Sequence, residues 1–299
     1  MRIFLTGATG FIGSRIVPEL LGAGHQVLGM TRSDAGARAL AAAGAEVHRG
    51  QLEDLESLRS GAAQADAVIH TAFDHDFSNF VANCEKDGQA IKALGSALIG
   101  TNRPLLITSG TGMGSPGDGQ AATESVVNTD NPNPRSASEL AGIELSAAGV
   151  AVSVMRLPQV HDTVKQGLIT PLVAIARAKG VSAYVGEGRN RWPSAHVLDV
   201  ARLYRLAIER REPARYHAVA EEGIPVRAIA EVIGAGLGVP VKSISAEDAA
   251  GHFGSMGMFA AMDLLASSTW TRKVLGWHPT GPDLITDLKH MDYSGVAAS

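Results

Sequence analysis

Residues 7–13 read Gly-Ala-Thr-Gly-Phe-Ile-Gly and follow at once on the apolar run Ile3-Phe4-Leu5. Three glycines spaced three apart, between a buried strand and an amphipathic segment, constrain this chain more than any other feature. Gly7 allows a tight turn, Gly10 lets backbone N–H groups approach a pyrophosphate, and Gly13 lets the following helix sit close on the strand. A helix expected over 11–21 then turns the positive end of its dipole toward the phosphates. A second apolar run over 25–30 completes a strand–helix–strand unit. The turn therefore reads as a dinucleotide cradle, with contacts expected from Thr6, Gly7, Thr9, Gly10, Phe11, Ile12 and Gly13.

The alternation continues through the first half. Strands are expected near 3–5, 26–29, 47–49, 67–71, 105–108 and 151–155, with helices over 35–43, 55–63, 77–99 and 136–148 between them. Such alternation predicts an α/β fold, a doubly wound parallel sheet of Rossmann type with right-handed crossovers. After Pro158 the pattern loosens into helices over 168–179, 198–210, 226–236 and 281–289 with short strands at 216–219 and 241–245. The expected division is a nucleotide-binding domain over 1–157 and a smaller, mainly substrate-binding lobe over 158–299, some segments of which return to the first domain. The stretch 110–134 is rich in Gly, Pro, Asn, Ser and Thr without apolar periodicity, as lids and binding loops often are.

Composition excludes several classes. With a net charge of −4, the chain has no basic field to recruit nucleic acid. Cys84 is the single cysteine, so no intrachain disulfide forms and no cysteine-based metal motif exists. No apolar run approaches the roughly 20 residues of a membrane span. A core strand at the very start argues against a cleavable leader, and the expected location is cytoplasmic. Asp74-His75-Asp76 clusters three metal-ligand types, but adjacent positions on one segment rarely converge, so no metal is expected. Trp192, Trp270 and Trp277 read as packing residues, with Trp192-Pro193 a candidate pocket wall.

Several segments together resemble the extended and atypical branches of the short-chain dehydrogenase/reductase superfamily, of the epimerase/dehydratase type. They are the Gly-x-x-Gly-x-x-Gly turn after Thr6, Val68-Ile69-His70-Thr71-Ala72, Leu105-Leu106-Ile107-Thr108-Ser109 and Met155-Arg156-Leu157-Pro158-Gln159-Val160. His196-Val197-Leu198-Asp199-Val200-Ala201 and Leu275-Gly276-Trp277-His278-Pro279 complete the set. The resemblance runs from residue 1 to about 285. It implies that Leu52, Thr71, Ala72, Phe73, Thr108, Leu157, Pro158 and Val160 line the cofactor and that Ser109 is an active-site hydroxyl. At the end of the second strand, Thr31-Arg32-Ser33 stands where an acidic residue would favour NADH. Arg32 can fork onto a 2′-phosphate with Thr31 and Ser33 as hydroxyl donors, so NADPH is expected. Asp34 reads as the cap of the next helix.

One departure is chemical. Catalytic members usually carry Tyr-x-x-x-Lys, in which the lysine and cofactor lower the tyrosine's pKa for proton transfer. Aligning Ser138-x-Leu140-Ala141-Gly142 places Arg135 at the tyrosine and Glu139 at the lysine, and no tyrosine precedes Tyr184. A guanidinium is a poor proton donor at neutral pH but a good anion clamp or oxyanion stabiliser. Arg135 and Glu139 lie four apart, so a plain intrahelical pair worth a few tenths of a kcal/mol stands beside the catalytic reading. His75, His161 and Tyr184 are the substitute proton donors. The leading expectation is an NADPH-dependent reductase of a small organic carbonyl or imine. A non-catalytic NADPH-binding regulator and a sugar-nucleotide epimerase or dehydratase are the alternatives. Partners are a small-molecule substrate and, left open, further copies of the chain.

Overall fold

A computed structural model describes residues 1–117 and 119–295. Its strands are β1 (Arg2–Thr6), β2 (Gln26–Thr31), β3 (Glu46–Arg49), β4 (Ala67–His70), β5 (Pro104–Gly110), β6 (Ala151–Leu157), β7 (Gln159–His161), β8 (Ser182–Val185), β9 (Arg191–His196), β10 (Arg215–His217), β11 (Glu221–Pro225) and β12 (Val241–Ile244). The helices are α1 (Gly13–Gly22), α2 (Asp34–Ala42), α3 (Leu55–Ala63), α4 (Phe80–Ser96), α5 (Ser136–Ala147), α6 (Ile169–Lys179), α7 (Val197–Arg210), α8 (Val226–Leu237), α9 (Ala249–Phe253), α10 (Gly257–Ala261), α11 (Thr269–Leu275) and α12 (Leu284–His290).

Seven strands form a parallel sheet in the order β10-β6-β5-β4-β1-β2-β3. Strand order reverses between β1 and β4, and the crevice at their carboxyl ends is where ligands bind in such sheets. Alternation along β1 sends Ile3 and Leu5 to one face and Phe4 to the other. Ile3 and Leu5 pack with Ile16, Leu20, Leu203, Tyr204 and Trp277. Phe4 packs with Leu58, Ile91, Leu94, Ile107 and Leu145 on the opposite face. A third core, holding Ile169, Val173, Trp192, Ile229, Leu284 and Leu288, belongs to the smaller lobe. That lobe carries the mixed sheet β11-β9-β7 and the pair β12-β8. The chain after residue 158 is shared between the lobes, since β10 is the outermost strand of the large sheet and α7 packs into the first core with α1.

Two expectations change. The helix expected over 77–99 begins at Phe80, because the Asp76 carboxylate accepts from Ser78 N at 3.0 Å and folds Phe77–Asn79 into a 3-10 turn. The 110–134 stretch is pinned rather than lid-like among its described residues. Ala122 bridges to Ala266, Arg156 donates to the carbonyls of Thr123 and Val126, and Glu124 Oε1 accepts from both the N–H and the hydroxyl of Thr271. Among the described residues no helix is long and apolar enough to cross a membrane.

One close contact tests the packing of the large sheet. A Cβ on Gly61 of α3 would lie 2.2 Å from the Phe4 ring. Gly61→Ala should therefore destabilise by about 1–3 kcal/mol through overpacking, despite the gain in helix propensity. Urea unfolding checks this, and a stabilised variant would contradict the packing.

Candidate functional site

The glycine turn is held open by backbone crowding. Gly7 has φ +69°, and a Cβ there would lie 2.7 Å from the Ala72 nitrogen; a Cβ on Gly13 would lie 2.1 Å from the Gly7 carbonyl oxygen. Only glycine fits both places. Gly10 N donates to Gly7 O at 2.9 Å, and α1 starts at Gly13, whereas the N–H groups of Phe11 and Ile12 find no acceptor among the described residues. Two open donors at the positive end of a ten-residue helix suit a pyrophosphate. The cradle fits a dinucleotide.

Side chains around it differ from expectation in places. Thr6 is fully buried with Oγ1 2.7 Å from His70 Nδ1, so its side chain fixes β1 to β4 and does not face a ligand. Thr71 Oγ1 donates to the Thr6 carbonyl at 2.8 Å. Thr31 is buried, and its hydroxyl accepts from Ser33 N at 3.4 Å. Ser33, not Asp34, caps α2 by accepting from Gly36 N at 3.0 Å, while Asp34 pairs with Arg49 at 2.7 Å. Arg32 is exposed and has no protein partner among the described residues. Thr9 is exposed, Leu52, Ala72, Phe73, Leu157 and Pro158 are half-buried, and Val160 lies in the first core.

Arg135 does not pair with Glu139. Its Nη1 donates to Asp87 Oδ2 of α4 at 2.6 Å and to Ser138 Oγ, and its Nη2 donates to the Thr108 carbonyl at 3.0 Å. Its guanidinium lies 4.1 Å from the centroid of the Phe73 ring. Asp87 in turn accepts from Ser138 Oγ at 2.6 Å and lies 3.0 Å from His70 Nε2. Burial pushes the Asp87 carboxyl up, but the Arg135 charge and the bonds to His70 and Ser138 outweigh it and hold the group well below the usual carboxylate range. The network continues to α7 through Thr108 Oγ1, which donates to His70 O and lies 2.6 Å from Tyr204 Oη. The Thr108 hydroxyl is thereby taken up within the protein.

Glu139 is no catalytic lysine substitute. It is buried and gripped by both arms of Arg156, Nε to Oε1 and Nη2 to Oε2, each at 2.8 Å. Tyr184 sits on β8 in the smaller lobe beneath the Arg227 guanidinium, 5.6 Å from its ring, where nothing joins it to Arg135. His161 is fully buried, its Nδ1 2.7 Å from Asp287 Oδ2 and its ring 5.8 Å from that of His196, in the seam between the lobes. Burial lowers its pKa despite Asp287. His75 is the candidate that does meet Arg135. Both lie against Phe73, the two rings 5.2 Å apart, and His75 Nδ1 donates to the Phe73 carbonyl at 3.1 Å. Although His75 is exposed, the protein packed along its ring, then the charges of Arg135 and Lys165, lower its pKa. Lys165 lies 5.7 Å over the Phe11 ring, which brings the glycine turn to the same mouth. Ser109, the last residue but one of β5 and next to the Thr108 carbonyl that Arg135 grips, is buried with Oγ unpartnered among the described residues. Such an atom costs about 1–3 kcal/mol unless something supplies the missing bond.

The sequence reading passed over His70, Asp87 and Tyr204. Asp87 was detectable: it shares the apolar face of α4 with Cys84, Ile91 and Leu94, where an acid survives only if paired. Trp192 and Trp277 are buried in the cores, and Trp270 stacks on Tyr216 at 5.9 Å. Among the described residues, no group of three His, Cys, Asp or Glu side chains is arranged to hold a metal.

Comparison with known proteins agrees with the geometry. The model of the NAD dependent epimerase/dehydratase family matches residues 3–219. An uncharacterized protein of Schizosaccharomyces pombe is 47% identical over 290 residues, covering 96% of this chain and 98% of the relative. A 2-alkyl-3-oxoalkanoate reductase of Stenotrophomonas maltophilia is 26% identical over 80% of this chain and 77% of its own. Among solved structures, UDP-glucose 4-epimerase of Thermotoga maritima superposes with TM-score 0.75 over 97% of each chain at 18% identity, a likeness of fold.

Asp87→Asn should cost about 3–5 kcal/mol of stability, the range for leaving one partner of a buried ion pair alone. Urea unfolding measures it; a loss below about 1 kcal/mol would mean that Arg135 is held by other contacts.

Proposed function

Because the chain belongs to the NAD-dependent epimerase/dehydratase family, within the extended short-chain dehydrogenase/reductases, we propose that it is an NADPH-dependent reductase of a small organic carbonyl or imine. The observation that carries this reading is the meeting of Arg135 and His75 on Phe73 beside the end of β5, where Arg135 grips the Thr108 carbonyl and the next residue, Ser109, has an unpartnered hydroxyl, with no tyrosine at position 135. When bound, the cofactor supplies a hydride to the substrate carbon. The residues of the chain must then hold the substrate oxygen and bring it a proton.

Ser109 Oγ and the open N–H groups of Arg135 suit the first task. Arg135 uses both Nη1 hydrogens and one Nη2 hydrogen within the protein, which leaves Nε–H and one Nη2–H for a ligand. Its charge is already matched by Asp87, so it acts as a fixed pair of donors rather than a free cation. That supports stabilisation of a developing oxyanion over the anchoring of an acidic substrate. His75 suits the second task. Its Nδ1–H bond to Phe73 leaves Nε2 as the site that takes up and passes on a proton.

An epimerase or dehydratase would need a group of the tyrosine type to take a proton from the sugar hydroxyl and return it, and position 135 has none. A regulator would share the replaced tyrosine, yet it would leave the buried Ser109 hydroxyl without a purpose. The exposed, unpartnered Arg32 beside the Ser33 hydroxyl supports NADPH over NADH.

Three measurements follow. NADPH absorbance over a panel of aldehydes, ketones and cyclic imines should show turnover, and Arg135→Gln should cut kcat by about 10²-fold or more with little change in KM. Tight NADPH binding without turnover on any compound would favour the regulator. The lowered pKa of His75 means that its protonated form accumulates only below the ordinary value of about 6.5. Hence kcat/KM for reduction should rise as pH falls through that lower value, and His75→Gln should abolish this limb. In fluorescence titrations, Arg32→Ala should weaken NADPH by about 1.5–3 kcal/mol and leave NADH unchanged; equal losses would remove Arg32 from the phosphate.

A further inference from the structure

Four of the chain's seven phenylalanines gather beside this site; neither hydrophobic core of the large sheet contains them, and only Phe259 packs also against the third core. Phe73 follows β4, Phe77 lies in the 3-10 turn, Phe80 opens α4, and Phe259 comes from α10 of the smaller lobe. Ring centroids are 6.4 Å apart for Phe73–Phe80, 5.7 Å for Phe77–Phe80, 6.0 Å for Phe77–Phe259 and 6.3 Å for Phe80–Phe259. All four are half-buried, unlike Phe4 and Phe253, which are buried. The exposed Val81 and Met258 extend the surface. A continuous half-exposed aromatic patch bridging two lobes at a cleft is a sign of ligand binding, because leaving it in water forfeits the burial that holds such rings inside.

The polar end of the patch is the site itself. The Arg135 guanidinium covers Phe73, and the His75 ring meets both Phe73 and Phe77 edge-on. We propose that the substrate is an apolar or aromatic carbonyl compound, its oxygen toward Ser109 and Arg135 and its hydrophobic body on the wall of Phe73, Phe77, Phe80 and Phe259. This rests on the carbonyl reductase reading and names the substrate class. The charges nearby point the same way. Asp74 and Asp76 flank Phe73 and Phe77 along the chain, and Lys86 is already paired with Glu53 at 2.9 Å and Asp74 at 3.1 Å. These carboxylates offer a diphosphate no donors, so a sugar nucleotide would have to find them at Lys165 and Arg135 instead.

Binding separates this proposal from turnover. Primary carboxamides from acetamide to hexanamide, with benzamide and UDP-glucose, are titrated calorimetrically into the full chain saturated with NADP⁺. Each added methylene should tighten binding about fourfold, the increment for a buried CH₂, until the wall is covered, and benzamide should bind more tightly than acetamide. Phe259→Ala should flatten the series to below about twofold per methylene and leave NADP⁺ affinity unchanged. Phe77→Ser, on the surface turn, gives the same readout should Phe259→Ala fail to fold. A series without length dependence, or UDP-glucose binding more tightly than hexanamide and unaffected by either variant, overturns the wall. Turnover of small polar aldehydes with a flat series would sink the wall and spare the reductase. A steep series in a protein that turns over nothing would uphold the wall and sink the reductase.

Discussion

The Asp87 carboxylate is the point on which the candidate site depends. It is buried, where an unpaired charge would be costly, and it is kept ionised by Arg135, His70 and Ser138. Through those partners one side chain of α4 fixes four other elements, β4, β1, α5 and β5. His70 reaches back to Thr6 on β1, Arg135 and Ser138 set the start of α5, and the Thr108 carbonyl ties β5 to the same guanidinium. The glycine turn, the end of β5 and the helix that usually bears the tyrosine are thus held in one frame. A site of this kind gains from such rigidity, since donors misplaced by an ångström lose much of their effect.

Positions 135 and 139 each have a buried partner of opposite charge, Asp87 and Arg156. An arginine where the family usually has tyrosine would repel a lysine four residues on, and a glutamate at 139 would be intolerable in a buried place without a cation. Arg156 provides that cation in a bidentate grip, while its remaining donors hold the loop at Thr123 and Val126. Behind it His217 is buried, its pKa pushed down to about 4 by that burial, so it stays neutral beside the guanidinium. One pair faces the cleft and the other supports it from behind. On the proposed reading, an arginine at position 135 would hold an oxygen where a tyrosine would move a proton, so the proton would pass through a separate group.

Much of the fold could be read from local pattern. The six strands expected in the first half all form in the parallel sheet; five are apolar runs bounded by turns, while the polar edge strand β3 was legible only from the alternation of strands and helices. The glycine turn was legible because its spacing is dictated by backbone contact. The partner of Arg135 was not. The i,i+4 rule pointed to Glu139, but that pair is worth a few tenths of a kcal/mol, and the buried Asp87 48 residues away needs the cation far more. Thr6 was assigned to the cofactor from its place before the glycine turn and Thr31 as a hydroxyl donor beside Arg32; in the fold both side chains are buried, Thr6 against His70 and Thr31 against the Ser33 N–H. The 110–134 loop looked free because its anchors, Arg156, Ala266 and Thr271, lie far along the chain. Long-range pairing of polar groups leaves little trace in a single sequence.

The most direct test of this frame is a crystal structure of the chain with NADP⁺ and a carboxamide analogue of the substrate. The account predicts the analogue's oxygen within about 3.2 Å of both Ser109 Oγ and an Arg135 nitrogen, with the Arg135–Asp87 pair intact and the His75 ring beside the bound carbonyl. An oxygen held by other groups, with Arg135 still facing only Asp87 and Thr108, would contradict it and leave that arginine a purely structural one.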